Sequence, residues 1–325
     1  MGRLVIGQLV VGLGVVVLVI AVVLVATWLV LRRPDIPFEK LEAKYAVPTS
    51  HYVDLGEGVR VHYRDDGDPK APVIVLVHGF GDSFLTWEGW IKALSPHYRV
   101  ITLDLPGHGL TRAPATYAPE PDRYADLIDA FAAKLDLPPF AIAGNSMGGG
   151  VAWRFALRHP QRLTALVLVD AAGWAPPANS PPPPLAFKVM QSGFGKFLLK
   201  TIETRPLTAQ GLKADVVDQS LITPAFVDRW VEVQRAPGHR PILMAVFTAR
   251  QAPATKETLA KITTPTLVLW GEQDHLIPVA NAKAFADAIG GAKLIIYPDA
   301  GHLPQFENPT RSAGDVDAFL KGLAK

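Results

Sequence analysis

Apolar positions along this chain follow three patterns, and each pattern ends at a definable place. Residues 4–31 hold no charge and are mostly Val, Leu, Ile and Gly. Folded as a helix at about 1.5 Å per residue, such a run exceeds the roughly 30 Å of a hydrocarbon layer. Short continuous apolar runs then appear at 73–77, 100–103, 140–143, 165–169, 266–270 and 294–297. Runs of this length read as strands buried on both faces. Helical periods separate them, as at 124–131, so the alternation predicts a mostly parallel sheet with helices on both faces. Ahead of these runs, 52–55 and 59–63 flank Gly56-Glu57-Gly58 and read as a β-hairpin. The third pattern has neither period. It covers a polar, proline-marked linker at 34–50 and a long stretch at 172–254 that contains Pro181 to Pro184. Because strand runs resume directly after 254, that stretch reads as an inserted helical cap and not as an independent domain.

Composition narrows the partners. A net charge of +2 over 325 residues, with scattered basic side chains, does not suggest a nucleic-acid surface. No cysteine is present, which removes disulfides, a thiol nucleophile and thiolate metal sites. Residues 1–33 read as a single-pass membrane anchor. A cleaved signal peptide is the rival, but its apolar core is usually about 7–15 residues and ends in small residues. Here the run is longer and ends in Trp28-Leu29-Val30-Leu31-Arg32-Arg33. Arg32, Arg33, Lys40 and Lys44 follow the span and only Arg3 precedes it, so the positive-inside rule leans towards a cytoplasmic catalytic domain.

The chemistry centres on Gly144-Asn145-Ser146-Met147-Gly148, set between an apolar strand run and a helical run beginning near Gly149. A serine at a tight strand-to-helix turn has its hydroxyl pushed outward, and flanking glycines keep side chains from colliding where the chain doubles back. Four further motifs occur in order: His78-Gly79-Phe80-Gly81, Asp104-Leu105-Pro106-Gly107-His108-Gly109, Trp270-Gly271-Glu272-Gln273-Asp274 and Gly301-His302. Together they resemble the α/β-hydrolase superfamily from about residue 51 to 325. Within it the chain is similar to the bacterial family V lipases and the membrane-anchored monoacylglycerol lipases. Gly-Asn-Ser-Met-Gly-Gly, Asp170-Ala171-Ala172-Gly173 and the apolar N-terminus carry that likeness.

The resemblance implies an eight-stranded sheet, with Ser146 as nucleophile, His302 as base and Asp274 as the acid that orients it. Asp170, after the preceding strand, is the alternative acid. The backbone amides of Phe80 and Met147 are the candidate oxyanion donors. His78 and Asp104 read as supports for the loops. Trp174, Phe187, Met190 and Phe194 are candidates for an acyl pocket in the cap. The implied reaction is hydrolysis of a small-molecule or lipid ester through an acyl-enzyme, without metal or organic cofactor. The alternative is carbon–carbon hydrolysis of aromatic ring-cleavage products, whose enzymes share Asn145-Ser146-Met147-Gly148-Gly149. Epoxide hydrolases and haloalkane dehalogenases carry aspartate at the nucleophile position, so Ser146 argues against both.

Overall fold

A computed structural model describes residues 2–174, 192–246, 249 and 252–323. Eight strands form one sheet: β1 (Ser50–Gly56), β2 (Val59–Asp66), β3 (Val73–Val77), β4 (Arg99–Leu103), β5 (Phe140–Asn145), β6 (Leu163–Val169), β7 (Thr266–Gly271) and β8 (Lys293–Tyr297). Their order is β1-β2-β4-β3-β5-β6-β7-β8. Only β2 runs against its neighbours; every other adjacent pair beyond it is parallel. The sheet is the expected one. Each apolar run became a strand. β3, β5 and β7 are buried throughout, as strands covered on both faces need apolar side chains at odd and even positions alike. The run at 294–297 instead forms the edge strand β8 and leaves Ile296 39% exposed, not buried on both faces.

Helices α1 (Gly2–Leu31), α2 (Phe38–Tyr45), α3 (Glu88–Leu94), α4 (Pro121–Lys134) and α5 (Met147–Arg158) precede the insertion. The insertion holds α6 (Gly193–Thr201), α7 (Arg205–Ala214), α8 (Pro224–Gln234) and α9 (His239–Val246). After it come α10 (Lys256–Leu259), α11 (Ala280–Ala288), α12 (Pro304–Glu307) and α13 (Pro309–Leu323). On one sheet face Val73, Val75 and Val77 pack with Phe131 of α4, Phe155 of α5 and Phe285 of α11. On the other, Ile74 and Leu76 pack with Trp90 of α3 and Val316 of α13. The alternation along β3 thus feeds two separate apolar layers.

One segment differs from the reading of the sequence. The stretch 34–50 contains α2, whose Phe38 and Leu41 are buried with Phe84 and Leu85. Two apolar residues one turn apart suffice to seat a helix of eight residues, but they are too few to stand out as a period. The insertion has a core of its own, in which Leu212, Phe226, Val227 and Val231 meet Leu303 beyond the last strand. That contact ties the insertion to the carboxyl ends of the strands. Within α1, Gly12–Leu31 has a mean hydropathy of 3.0 and none of it is buried, so by length and composition it can cross a membrane.

Candidate active site

Ser146 sits between β5 and α5 with φ 52° and ψ −117°. A non-glycine residue there stores strain of about 1–3 kcal/mol and has to be held in place. Its amide donates to Val169 O at 3.0 Å, and its carbonyl accepts from Gly150 N at 3.0 Å and Ala172 N at 2.9 Å. The turn is too tight for side chains at its flanks. A Cβ on Gly144 would lie 2.2 Å from Gly148 O, and one on Gly148 would lie 2.2 Å from Val77 O.

His302 follows β8 and is nearly buried. Its backbone amide donates to Asp215 O at 2.7 Å, and Asn145 Nδ2 donates to its carbonyl at 3.1 Å. The ring's Nδ1 meets Asp274 Oδ2 at 2.7 Å. Asp274 Oδ1 accepts from the amides of Leu276 and Ile277, each at 2.8 Å, so both carboxylate oxygens are engaged. Held this way, the carboxylate fixes the Nδ1–H tautomer and leaves Nε2 as the acceptor. Ser146 and His302 line one cavity. Among the described residues no hydrogen bond joins the hydroxyl to the ring; such bonds commonly tighten only when substrate is bound.

Asp170 lies close behind. Its backbone has φ 44°, its side chain is fully buried, and Oδ1 accepts from Gly271 N at 3.0 Å. Burial, and next the charge of Asp274, push its carboxyl well above the usual range. The imidazole is bonded to Asp274 and not to Asp170. Ligand atoms of Asp170, Asp274 and His302 lie within 4.8 Å of one another, a spacing that a cation could use. The 2.7 Å contact of Nδ1 with Oδ2 is a hydrogen bond, however, and already occupies two of those ligand atoms.

The loop after β3 lies against the elbow: a Cβ on Gly79 would be 3.3 Å from Ser146 Cβ. Phe80 follows it and lines the cavity. Met147 opens α5, where the amides of the first turn have no partner within the helix and its dipole is positive. His78 and Asp104 brace these loops. His78 accepts from Leu105 N at 3.0 Å and donates from Nδ1 to Gly79 O at 2.7 Å. Asp104 accepts from Phe84 N, Leu110 N and His62 Nδ1 at 2.8, 2.9 and 2.8 Å. Burial alone would raise the Asp104 carboxyl, but the bond from His62 and the nearby histidine charge bring it below the usual range.

The cavity has a volume of about 420 Å³. Of the four candidates for its wall, Trp174 packs edge-on against Phe285, with centroids 5.6 Å apart, and does not line it. A bulky indole next to a helix facing the sheet finds more surface to bury there than in the cavity. Phe187 and Met190 lie outside the described residues, and so does the side chain of Phe194. The wall is built from Leu199, Ile202, Leu207, Leu212 and Leu243 together with two bulky cap residues, Trp230 and Met244. Asp82, directly after the Gly79–Gly81 turn, also lines it. Burial pushes its carboxyl up to about 7, opposed by hydrogen bonds from Ser83 N and Thr86 and by the Arg229 charge.

Comparison with known proteins agrees with this architecture. Residues 72–309 match the family model described as alpha/beta hydrolase fold. A solved membrane phospholipase A, described as a bacterial virulence factor, superposes with a TM-score of 0.73 at 27% identity, covering 100% of both chains. Monoacylglycerol lipase abhd6-B of Xenopus laevis is 27% identical over 80% of this chain and 79% of its own length. The 2-hydroxy-6-oxo-6-phenylhexa-2,4-dienoate hydrolase of Burkholderia cepacia is 28% identical over 80% of this chain and 92% of its own. With the family model spanning most of the chain and the sheet order, elbow and loops in agreement, the protein is a hydrolase belonging to the α/β-hydrolase fold family.

Proposed function

We propose that this protein is a membrane-anchored serine hydrolase that cleaves carboxylic esters of apolar acyl groups. The observation that carries the reading is Ser146 facing the same apolar cavity as a histidine whose tautomer is set by a doubly anchored carboxylate. A hydroxyl alone is a weak nucleophile and needs such a base. In the proposed reaction His302 Nε2 takes the Ser146 proton while Oγ bonds to the carbonyl carbon. The displaced electron pair rests on the carbonyl oxygen, held by the amides of Phe80 and Met147. Collapse breaks the bond to the alcohol, which leaves with the proton from His302. Water then repeats the cycle and frees the acid.

Support for anchoring comes from α1, whose exposed apolar stretch ends in Trp28, Arg32 and Arg33, the residue types found where a span meets headgroups. The neighbouring phospholipase A is named as a membrane protein and aligns over its whole length.

Carbon–carbon hydrolysis is the alternative, since the Burkholderia cepacia relative is named for a dienoate substrate. Such a substrate carries a carboxylate and asks for an available cation. The arginines lining the cavity, Arg235 and Arg240, are already bonded to Pro34 O and to Arg33 O and Asp35. That favours the uncharged acyl group. The test is a p-nitrophenyl ester series run beside the phenylhexadienoate, with fluorophosphonate labelling of the full chain. Ester turnover and a label on Ser146 are expected. Dienoate turnover without ester turnover would overturn the reading.

A further inference from the structure

The end of α1 is bonded to a segment that lines the cavity. Arg33 N donates to Thr201 O and Glu203 N donates to Leu31 O, each at 2.8 Å, so the chain leaving α1 pairs antiparallel with the chain leaving α6. Trp28 adds a hydrogen bond from Nε1 to Thr201 Oγ1 at 3.1 Å and stacks on Phe197 with centroids 6.1 Å apart. Arg33 also pairs with Glu203 at 2.9 Å. Ile202 and Glu203, gripped in this way, line the same cavity as Ser146.

Depth follows from helix geometry. Trp28 is three residues from the end of α1, or about 4.5 Å along its axis. When α1 spans, the Thr201–Glu203 segment is therefore at headgroup level. Phe197 is 50% exposed and Leu207 is 60% exposed, and Leu207 also lines the cavity, which makes it part of the rim. Lys196 and Lys200 on α6 and Arg32 and Arg33 beside it supply the positive charge that suits an anionic leaflet surface. Leu276, 59% exposed, also lines the cavity, at the β7 end. The segment that leads into Leu207 is the one bonded to the end of α1 itself.

We infer that the rim around Leu207 rests on the bilayer and that membrane lipid enters the cavity laterally there, acyl chain first, without passing through water. This deepens the ester-hydrolase reading and rests on it. The chain has no cysteine, so single reporters can be introduced into an otherwise silent background. Leu207→Cys carries a bimane label, and Lys134→Cys serves as control, because Lys134 ends α4 next to the amino-terminal end of β5 at the far side of the sheet. The full chain is reconstituted in phosphatidylcholine–phosphatidylglycerol vesicles containing nitroxide lipid. Quenching at 207 at least fivefold greater than at 134 is expected; equal quenching overturns the inference whatever the enzyme hydrolyses. In parallel, Phe197→Asp, outside the cavity wall, is assayed on dissolved p-nitrophenyl acetate and on p-nitrophenyl palmitate held in the vesicles. The vesicle rate is expected to drop at least tenfold with the acetate rate kept within twofold. Equal rates for wild type and variant on both esters would also overturn it, whereas no turnover of either ester by wild type would strike the ester reading alone.

Discussion

Two carboxyl groups within reach of one imidazole differ in what they can do, and the difference lies in their hydrogen bonds. Asp274 has two amides and the ring on its oxygens, whereas Asp170 is fully buried beside it and accepts from Gly271 N. In Asp274→Asn the amide cannot hold the proposed base in the same tautomer, and kcat should fall roughly 10⁴-fold, the loss known for this change in serine proteases. Asp170→Asn keeps an oxygen that accepts from Gly271 N and leaves the bond between Asp274 and the ring in place, so its kcat should stay within about tenfold of wild type. Steady-state kinetics on one soluble ester decides both. Asp82 gives a prediction about stability. Its carboxyl rises from 3.8 to about 7 on folding, so the folded state holds the proton more tightly than the unfolded chain. The stability this provides is complete below about pH 3.8 and is lost as pH climbs to about 7, a change on the order of 4 kcal/mol. Denaturant titrations at pH 4.5 and 8 should show that slope in wild type and a flatter one in Asp82→Asn. Ser146, His302 and Asp274 were legible because each sits in a motif at the end of a strand run. The sequence favoured Asp274 with Asp170 as the alternative, since both follow neighbouring strands, and the hydrogen bond from the ring to Asp274 is what the sequence could not display.

At the level of elements, the strands were the most readable feature because burial on both faces leaves an uninterrupted apolar run. The insertion was legible as a helical cap but the bounds of its helices were not, since amphipathic stretches of eight to eleven residues bury only part of a face and blend into their loops. Trp174 misled for the same reason: an aromatic near the insertion packs on α11 as readily as it lines a cavity. The elbow itself carries a prediction. In Gly148→Ala the new methyl would meet Val77 O at 2.2 Å and His78 O at 2.5 Å, both backbone atoms that cannot step aside. Overpacking of this kind should cost about 3 kcal/mol and lower fluorophosphonate labelling along with stability, which thermal melting and a labelling time course would register together. Asp104→Ala acts differently. It leaves Phe84 N, Leu110 N and His62 without their acceptor, at about 1–3 kcal/mol each, so the melting temperature should drop while any surviving folded enzyme keeps its KM.

For the whole molecule, the apolar N-terminus was plain from composition, but its union with the insertion was not. Nothing in either segment marks Thr201 as the partner of Arg33, because a backbone pairing across so long a separation leaves no trace in side-chain pattern. If α1 spans as proposed, the protein should stay with membranes through alkaline carbonate washing, a result that would be lost on replacing Val16 and Val19 by lysine. The union also bears on how the enzyme responds to its surroundings. Arg235 and Arg240 grip Pro34, Arg33 and Asp35, so a change in the tilt of α1 is transmitted to the helices that roof the cavity. Helix tilt follows bilayer thickness. Turnover of one ester, measured across vesicles built from progressively longer phosphatidylcholines, should therefore pass through an optimum, making the thickness of the host membrane a variable of the kinetics.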